Sequence, residues 1–184
     1  TGRSKGVILT RENLSSNAEA LVGLWRFTEG DVLLHALPVF HTHGLFVATN
    51  CVLYSGASMI FHRAFQPAAV LEALPGVTVM MGVPTFYTRL LADPGLTGAV
   101  CGQVRLFISG SAPLSPATHA EWRERTGHAI LERYGMTETC MNTSTPYVGD
   151  RLPGSVGPAL PGITVRVRDA ETGTFWSTTH QPTQ

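Results

Sequence analysis

Residues 104–139 read VRLFISGSAPLSPATHAEWRERTGHAILERYGMTET, and this stretch decides the fold. Val104 to Ser109 is a short, mainly apolar run of strand character. The turn SGSAPL follows. Ser115 then offers a hydroxyl N-cap, Pro116 suits the first helical position, and Gly127 suits a left-handed C-cap, so the spacing predicts a helix from Ser115 to Thr126. Ala129 to Tyr134 returns to strand character, and YGMTE forms the next turn. Strand, turn, helix, strand is a βαβ unit, which implies parallel strands joined by a right-handed crossover.

The same alternation extends upstream. Asp31 to Leu37 (DVLLHAL) reads as a strand stopped by Pro38, and His43 to Tyr54 as a buried helix ending near Gly56. Ala57 to Phe61 reads as a strand, Pro67 to Leu74 as a helix, Val77 to Met81 as a strand and Pro84 to Leu91 as a helix closed by Asp93-Pro94-Gly95. The expected fold is α/β, with a mostly parallel sheet flanked by helices. Ligands of such folds bind beyond the carboxyl ends of the strands. The turns at those ends are PVFHTHG, MGVPT, SGSAPL and YGMTET. Downstream, Ile163 to Arg168 alternates apolar and charged residues, as a half-exposed strand does, and Asp169 to Gly173 reads as a turn. From Thr174 to Gln184 no periodicity remains, and the chain is expected to fray there.

Charged residues make up only 14% of the 184, against 43% hydrophobic, which fits segments buried on both faces of a layered protein. Thirteen basic and thirteen acidic residues cancel without a basic tract, so no nucleic-acid partner is expected. Cys51, Cys101 and Cys140 form no CxxC pair, and no signal peptide is visible, so a reducing, cytoplasmic setting is expected. The longest uncharged stretch, Val32 to His62, is broken by Pro38, Asn50 and four histidines, which argues against a membrane span.

Several turns carry chemistry. Thr1 to Gly6 (TGRSKG) has the parts of a phosphate loop: Gly2 and Gly6 allow close backbone approach, Thr1 and Ser4 offer hydroxyls, and Lys5 a charge. It is not a Walker A loop, because glycine follows the lysine. An ordinary polar turn has the same composition. In YGMTE, Tyr134 can stack on a base, Gly135 permits close approach, Thr137 can bond phosphate, and Glu138 can hold Mg²⁺ through oxygen. Gly110 and Ala112 in SGSAPL leave room for a flat ring against the backbone. His41 and His43 lack further clearly placed ligands for zinc and read as pocket-wall residues. Arg89, on PTFYTRLL, is either a surface arginine or a buried guanidinium facing a carboxylate, for which its bidentate fork is suited.

Taken together and in order, TGRSKG, HTHG, SGSAPL and YGMTE resemble the adenylate-forming superfamily of acyl-CoA synthetases, adenylation domains and luciferases. The resemblance covers residues 1–173, as part of an AMP-binding N-terminal domain, and leaves 174–184 as a divergent tail. The segments FHTHGLFVATN, MGVPTFYTRLL and GDRLPGSVGPALPG look like malonyl-CoA synthetases in particular. This implies ATP, Mg²⁺ and CoA as cofactors or co-substrates and malonate as substrate. It implies that Thr1, Gly2, Ser4, Lys5 and Gly6 cradle the β- and γ-phosphates. Ser109, Gly110, Ser111, Ala112 and Pro113 would line the adenine and acyl pocket. Tyr134, Gly135 and Met136 would sit at the adenine, Thr137 at the α-phosphate, and Glu138 on Mg²⁺. His43 would lie near the acyl group and Arg89 would read the distal carboxylate of malonate. Thr137 and Glu138 would be the catalytic pair.

The family's Ser-Gly-Thr run before Thr1, its ribose-binding aspartate and its C-terminal lid domain with the adenylation lysine are not in this sequence, so the isolated chain is not expected to turn over. Another small acid such as methylmalonate is the competing substrate. A non-catalytic nucleotide-binding module is the competing class; it would be signalled by loss of Glu138 or Lys5, and both are present.

Overall fold

The computed structural model describes residues 6–176. Helix α1 (Arg11–Trp25) leads into strand β1 (Val32–His35), a π-helical turn (His43–Ala48) and α2 (Thr49–Ser55). Then come β2 (Ser58–Phe61), α3 (Pro67–Ala73), β3 (Val79–Gly82), α4 (Pro84–Leu91), β4 (Leu106–Ser109), α5 (Pro116–Thr126), β5 (Leu131–Met136) and β6 (Cys140–Ser144). The six strands form one sheet in the order β2-β1-β3-β4-β5-β6. All neighbours are parallel except the β5–β6 edge hairpin. The mostly parallel α/β architecture read from the sequence is therefore the one observed.

Alternation along the strands feeds two cores, one on each face of the sheet. Leu33, Val79, Met81, Leu106 and Ile108 pack with Leu21 and Trp25 of α1 and Val47 of the π-turn. Leu34, Met80 and Phe107 pack on the other face with Val70 of α3, Tyr87 and Leu90 of α4 and Trp122 of α5. The Trp122 ring meets Tyr87 and Phe107 edge-on at 4.9 and 5.0 Å. Helix α5 is capped as its sequence predicts: the Ser115 hydroxyl accepts from the Thr118 N–H, and Gly127 adopts φ 80°.

Arginines lock the connections. Arg105 grips the buried Asp31 carboxylate at 2.7 and 2.8 Å and donates to the carbonyls of Trp25 and Arg26. Burial alone would raise the Asp31 pKa. Hydrogen bonds from Arg105, Thr78 and the Thr28 N–H, with the Arg105 charge, outweigh it and hold the pKa at about 2. Arg151 donates to the carbonyls of Ala129, Pro146 and Tyr147, fastening the segment beyond β6.

The structure also departs from the sequence reading. Helix α1 and strand β6 carry no assignment above. The capping box of Thr10 and Asn13 starts α1, and Ala18, Leu21 and Trp25 give it one buried stripe. Tyr134 to Met136 belong to strand β5 rather than to a turn, and only Thr137 to Thr139 turn the hairpin. Fraying from Thr174 onward is corrected at its start. Asp169 to Gly173 is the expected turn, and it brings β8 (Phe175–Trp176) antiparallel to β7 (Val167–Arg168). The rest of that tail, residues 177–184, lies outside the described residues.

Candidate active site

The turns beyond β1, β2, β3, β4 and β5 converge on one cavity of about 700 Å³. It lies where parallel α/β sheets place ligands. Pro38 to Gly44 line it from the β1 turn, and Arg63 and Phe65 from the β2 turn. Val83, Phe86 and Arg89 line it from the start of α4, Ser111 from the β4 turn, and Arg133 and Gly135 to Thr137 from β5 and its hairpin. Among the described residues no aspartate or glutamate lines it, while three arginines do. The cavity is built to receive negative charge.

Arg133 forms its floor. The residue is only 3% exposed, and its Nε and Nη2 atoms have no partner among the described residues. Burial pushes its pKa down to about 10, against a smaller opposing effect of Tyr87 and Cys51. A buried cation without a counter-ion is costly, and a site that tolerates one is poised for an anion. The sequence reading missed Arg133. Its signal was present: a charged pair, Glu132-Arg133, interrupts the apolar strand AILERY. Glu132 accounts for itself structurally, accepting from the Gly154 N–H at 3.0 Å.

His43 is placed by the π-helical turn. The Gly44 carbonyl accepts from His35 Nε2 at 3.0 Å, from the Thr49 hydroxyl at 2.9 Å, and from the Thr49 N–H in the wider π pattern. A Cβ on Gly44 would lie 2.9 Å from the Pro38 carbonyl carbon, so only glycine lets this turn fold onto β1. His43 thereby becomes buried against the cavity, its Nδ1 3.4 Å from the Ser111 hydroxyl. Burial first, then the Arg133 and His35 charges, push its pKa well below the usual histidine range, so the ring is neutral at pH 7. Ser111 itself holds φ 70°, a left-handed conformation that is uncommon outside glycine and clusters at functional sites.

The remaining expected site residues divide. Thr1, Gly2, Ser4 and Lys5 lie outside the described residues, and Gly6 is exposed with nothing packed on it. Arg89 reaches the cavity rim but is exposed rather than buried, its guanidinium 5.0 Å from the Phe65 ring centre; that ring stacks on Phe86 at 3.8 Å. Ser109 is buried at the end of β4 and is not part of the cavity wall, nor are Ala112 and Tyr134. Gly110 is not open to a flat ligand ring here, because the Arg133 guanidinium already lies against it. The close approach at Gly135 is that of strand β6, since an added Cβ would lie 2.8 Å from Met141 Cα. Met136 and Thr137 line the cavity, and the Thr42 hydroxyl donates to that of Thr137 at 3.4 Å. Glu138 stands exposed at the hairpin tip with no hydrogen bond or ion pair among the described residues. No cluster of three or more histidine, cysteine or acidic side chains that could hold a metal occurs among the described residues. No helix among them is long and apolar enough to cross a membrane.

Known proteins share this fold. MatB from Rhodopseudomonas palustris, solved with ATP bound, superposes with a TM-score of 0.94 at 62% identity, over 96% of this chain and 35% of that one. A malonyl-CoA ligase solved as a ternary product complex with methylmalonyl-CoA and AMP superposes at 0.83 with 40% identity, over 88% of this chain and 36% of that one. The mouse malonate–CoA ligase ACSF3, described as mitochondrial, is 42% identical over 91% of this chain and 31% of its own length. The chain thus spans about a third of these relatives. Relationship therefore does not carry the expected cytoplasmic setting. The family model of AMP-binding enzymes matches residues 1–180, and with this cavity at the strand ends the chain belongs to the AMP-binding enzyme family.

Proposed function

We propose that the enzyme containing these residues is an ATP-dependent acid–thiol ligase that activates malonate and passes it to CoA. A malonate carboxylate oxygen attacks the α-phosphorus of ATP, and the bond to pyrophosphate breaks. The CoA thiolate then attacks the acyl carbonyl of malonyl-adenylate and expels AMP. The observation that carries the choice of malonate is Arg133. A dicarboxylic acid keeps one carboxylate free after activation, and that charge needs a buried partner. Arg133 at the floor supplies the buried partner, the exposed Arg89 adds a second positive charge at the rim, and the neutral His43 adds no competing charge.

The chemistry asks for charge neutralisation and alignment, because malonate itself is the nucleophile. Thr137, at the hairpin, would contact the α-phosphate. Thr1, Gly2, Ser4, Lys5 and Gly6 would take the β- and γ-phosphates, and Ser111, Ala112, Tyr134, Gly135 and Met136 the nucleotide side; Gly110, covered by the Arg133 guanidinium, is not among them. Glu138, as a single free carboxylate, fits Mg²⁺ bound mainly through nucleotide phosphates; the ion would offset charge on the leaving pyrophosphate. A free Glu138 also speaks against a non-catalytic module. The lid domain of the family would complete the site.

Methylmalonate is the second candidate acid, since one neighbouring ligase is described with methylmalonyl-CoA bound. The test is acid-dependent ATP–pyrophosphate exchange by the full-length enzyme on malonate, methylmalonate and acetate. Malonate should exceed acetate at least ~100-fold in kcat/KM, the scale of one desolvated charge pair. Equal values for malonate and acetate would overturn the reading.

A further inference from the structure

Gly110 has no backbone reason to be glycine. Its φ is not among the positive values, which occur at seven other glycines among the described residues. What a side chain there would first meet is Arg133. The three atoms nearest an added Cβ all belong to the Arg133 guanidinium, with Nε and Nη1 at 2.6 Å. The geometry follows from strand register. Ser109 pairs with Glu132 across β4 and β5, so Gly110 and Arg133 come next on adjoining parallel strands. On strands only about 5 Å apart, a long side chain can lie against its neighbour's backbone where that neighbour offers no Cβ. Gly110 is buried, and the guanidinium covering it belongs to Arg133, a cavity-lining residue whose Nε and Nη2 have no partner among the described residues.

We propose that Gly110 is a positioning residue for acid specificity: it seats the Arg133 guanidinium flat against the end of β4, at the height where it meets the distal carboxylate of a dicarboxylic acid. This rests on reading Arg133 as the carboxylate partner. It assigns Gly110 to the acid rather than to adenine. A methyl group there must push the guanidinium up into the cavity or aside, while leaving the nucleotide side alone.

The test is a double-mutant cycle in the full-length enzyme with Gly110→Ala, Arg133→Met and the pair. Gly110→Ala should raise the malonate KM at least 10-fold and leave the ATP KM within about 2-fold. In the Arg133→Met background it should change the malonate KM by less than about 2-fold, because the flexible thioether yields to the new methyl. Equal increases in the ATP and malonate KM would return Gly110 to the adenine and overturn the proposal, as would additive effects. Melting temperatures give a readout without substrate: Gly110→Ala should destabilise the wild type more than the Arg133→Met protein. If Arg133→Met leaves the malonate KM unchanged, the acid-pocket reading fails. If instead both single variants raise it independently, only the seating by Gly110 fails.

Discussion

Replacing Arg133 by methionine should make the protein more stable and a worse malonate ligase at once. Arg133 is 3% exposed, and two of its guanidinium nitrogens have no partner among the described residues. Burial holds its pKa at about 10, against an ordinary value of ~12.5. That gap corresponds to about 3 kcal/mol for keeping the charge buried. For a base with a depressed pKa, this penalty is complete at every pH below about 10 and fades only above it. At pH 7 the whole penalty is present. Methionine removes the charge and keeps much of the apolar stem, but it loses some packing. A net gain of about 1–2 kcal/mol is expected, comparable to other replacements of buried ions by apolar side chains. It should appear as a rise of a few degrees in melting temperature. Losing the partner of a desolvated carboxylate should cost about 2–5 kcal/mol in malonate recognition, or ~30- to 5,000-fold in kcat/KM. Thermal unfolding without substrate and pyrophosphate exchange with malonate measure the two effects. A lowered melting temperature accompanying the lost activity would mean that Arg133 is structural, and an unchanged kcat/KM would mean that it is idle.

Arg89→Ala should cost less, about 1 kcal/mol or ~5-fold in malonate kcat/KM, because the side chain is exposed at the rim; Arg89→Lys should not restore it fully, since a guanidinium lies flatter on the Phe65 ring. Glu138→Ala should slow malonyl-adenylate formation by a factor of at least ~100 and leave the melting temperature unchanged, as the side chain bonds nothing among the described residues; normal adenylate formation would refute its metal role. Asp31→Asn should destabilise the protein by about 2 kcal/mol at pH 7. A depressed carboxylate pKa contributes stability that is complete above about 4 and lost as pH falls through about 2, so this difference should vanish near pH 2 in denaturant titrations; a difference independent of pH would refute the ion-pair account.

Local signals were enough for much of the fold. Ser115, Pro116 and Gly127 bounded α5 because caps act within one turn of chain, and Pro84 to Leu91 was bounded by its own prolines. Strand β6 was illegible because Cys140 to Ser144 (CMNTS) sets two apolar residues before three polar ones without alternation, and it becomes buried by long-range pairing with β5 and by α1, whose Asn17 bonds Met141. The family resemblance of HTHG, SGSAPL and YGMTE was carried by residue order alone, and it pointed to the turns that do converge.

The order of turns, the α/β class and membership of the AMP-binding family thus lay in the sequence, since each is written in short-range spacing. Which arginine is buried did not. Arg89 sits on an amphipathic helix and Arg133 inside an apolar strand, and neither pattern states its exposure. Only the β4–β5 register sets the Arg133 guanidinium over Gly110, beside the cavity and with two nitrogens unpartnered among the described residues. That is a long-range fact: burial of a charge is decided by what other segments withhold from it.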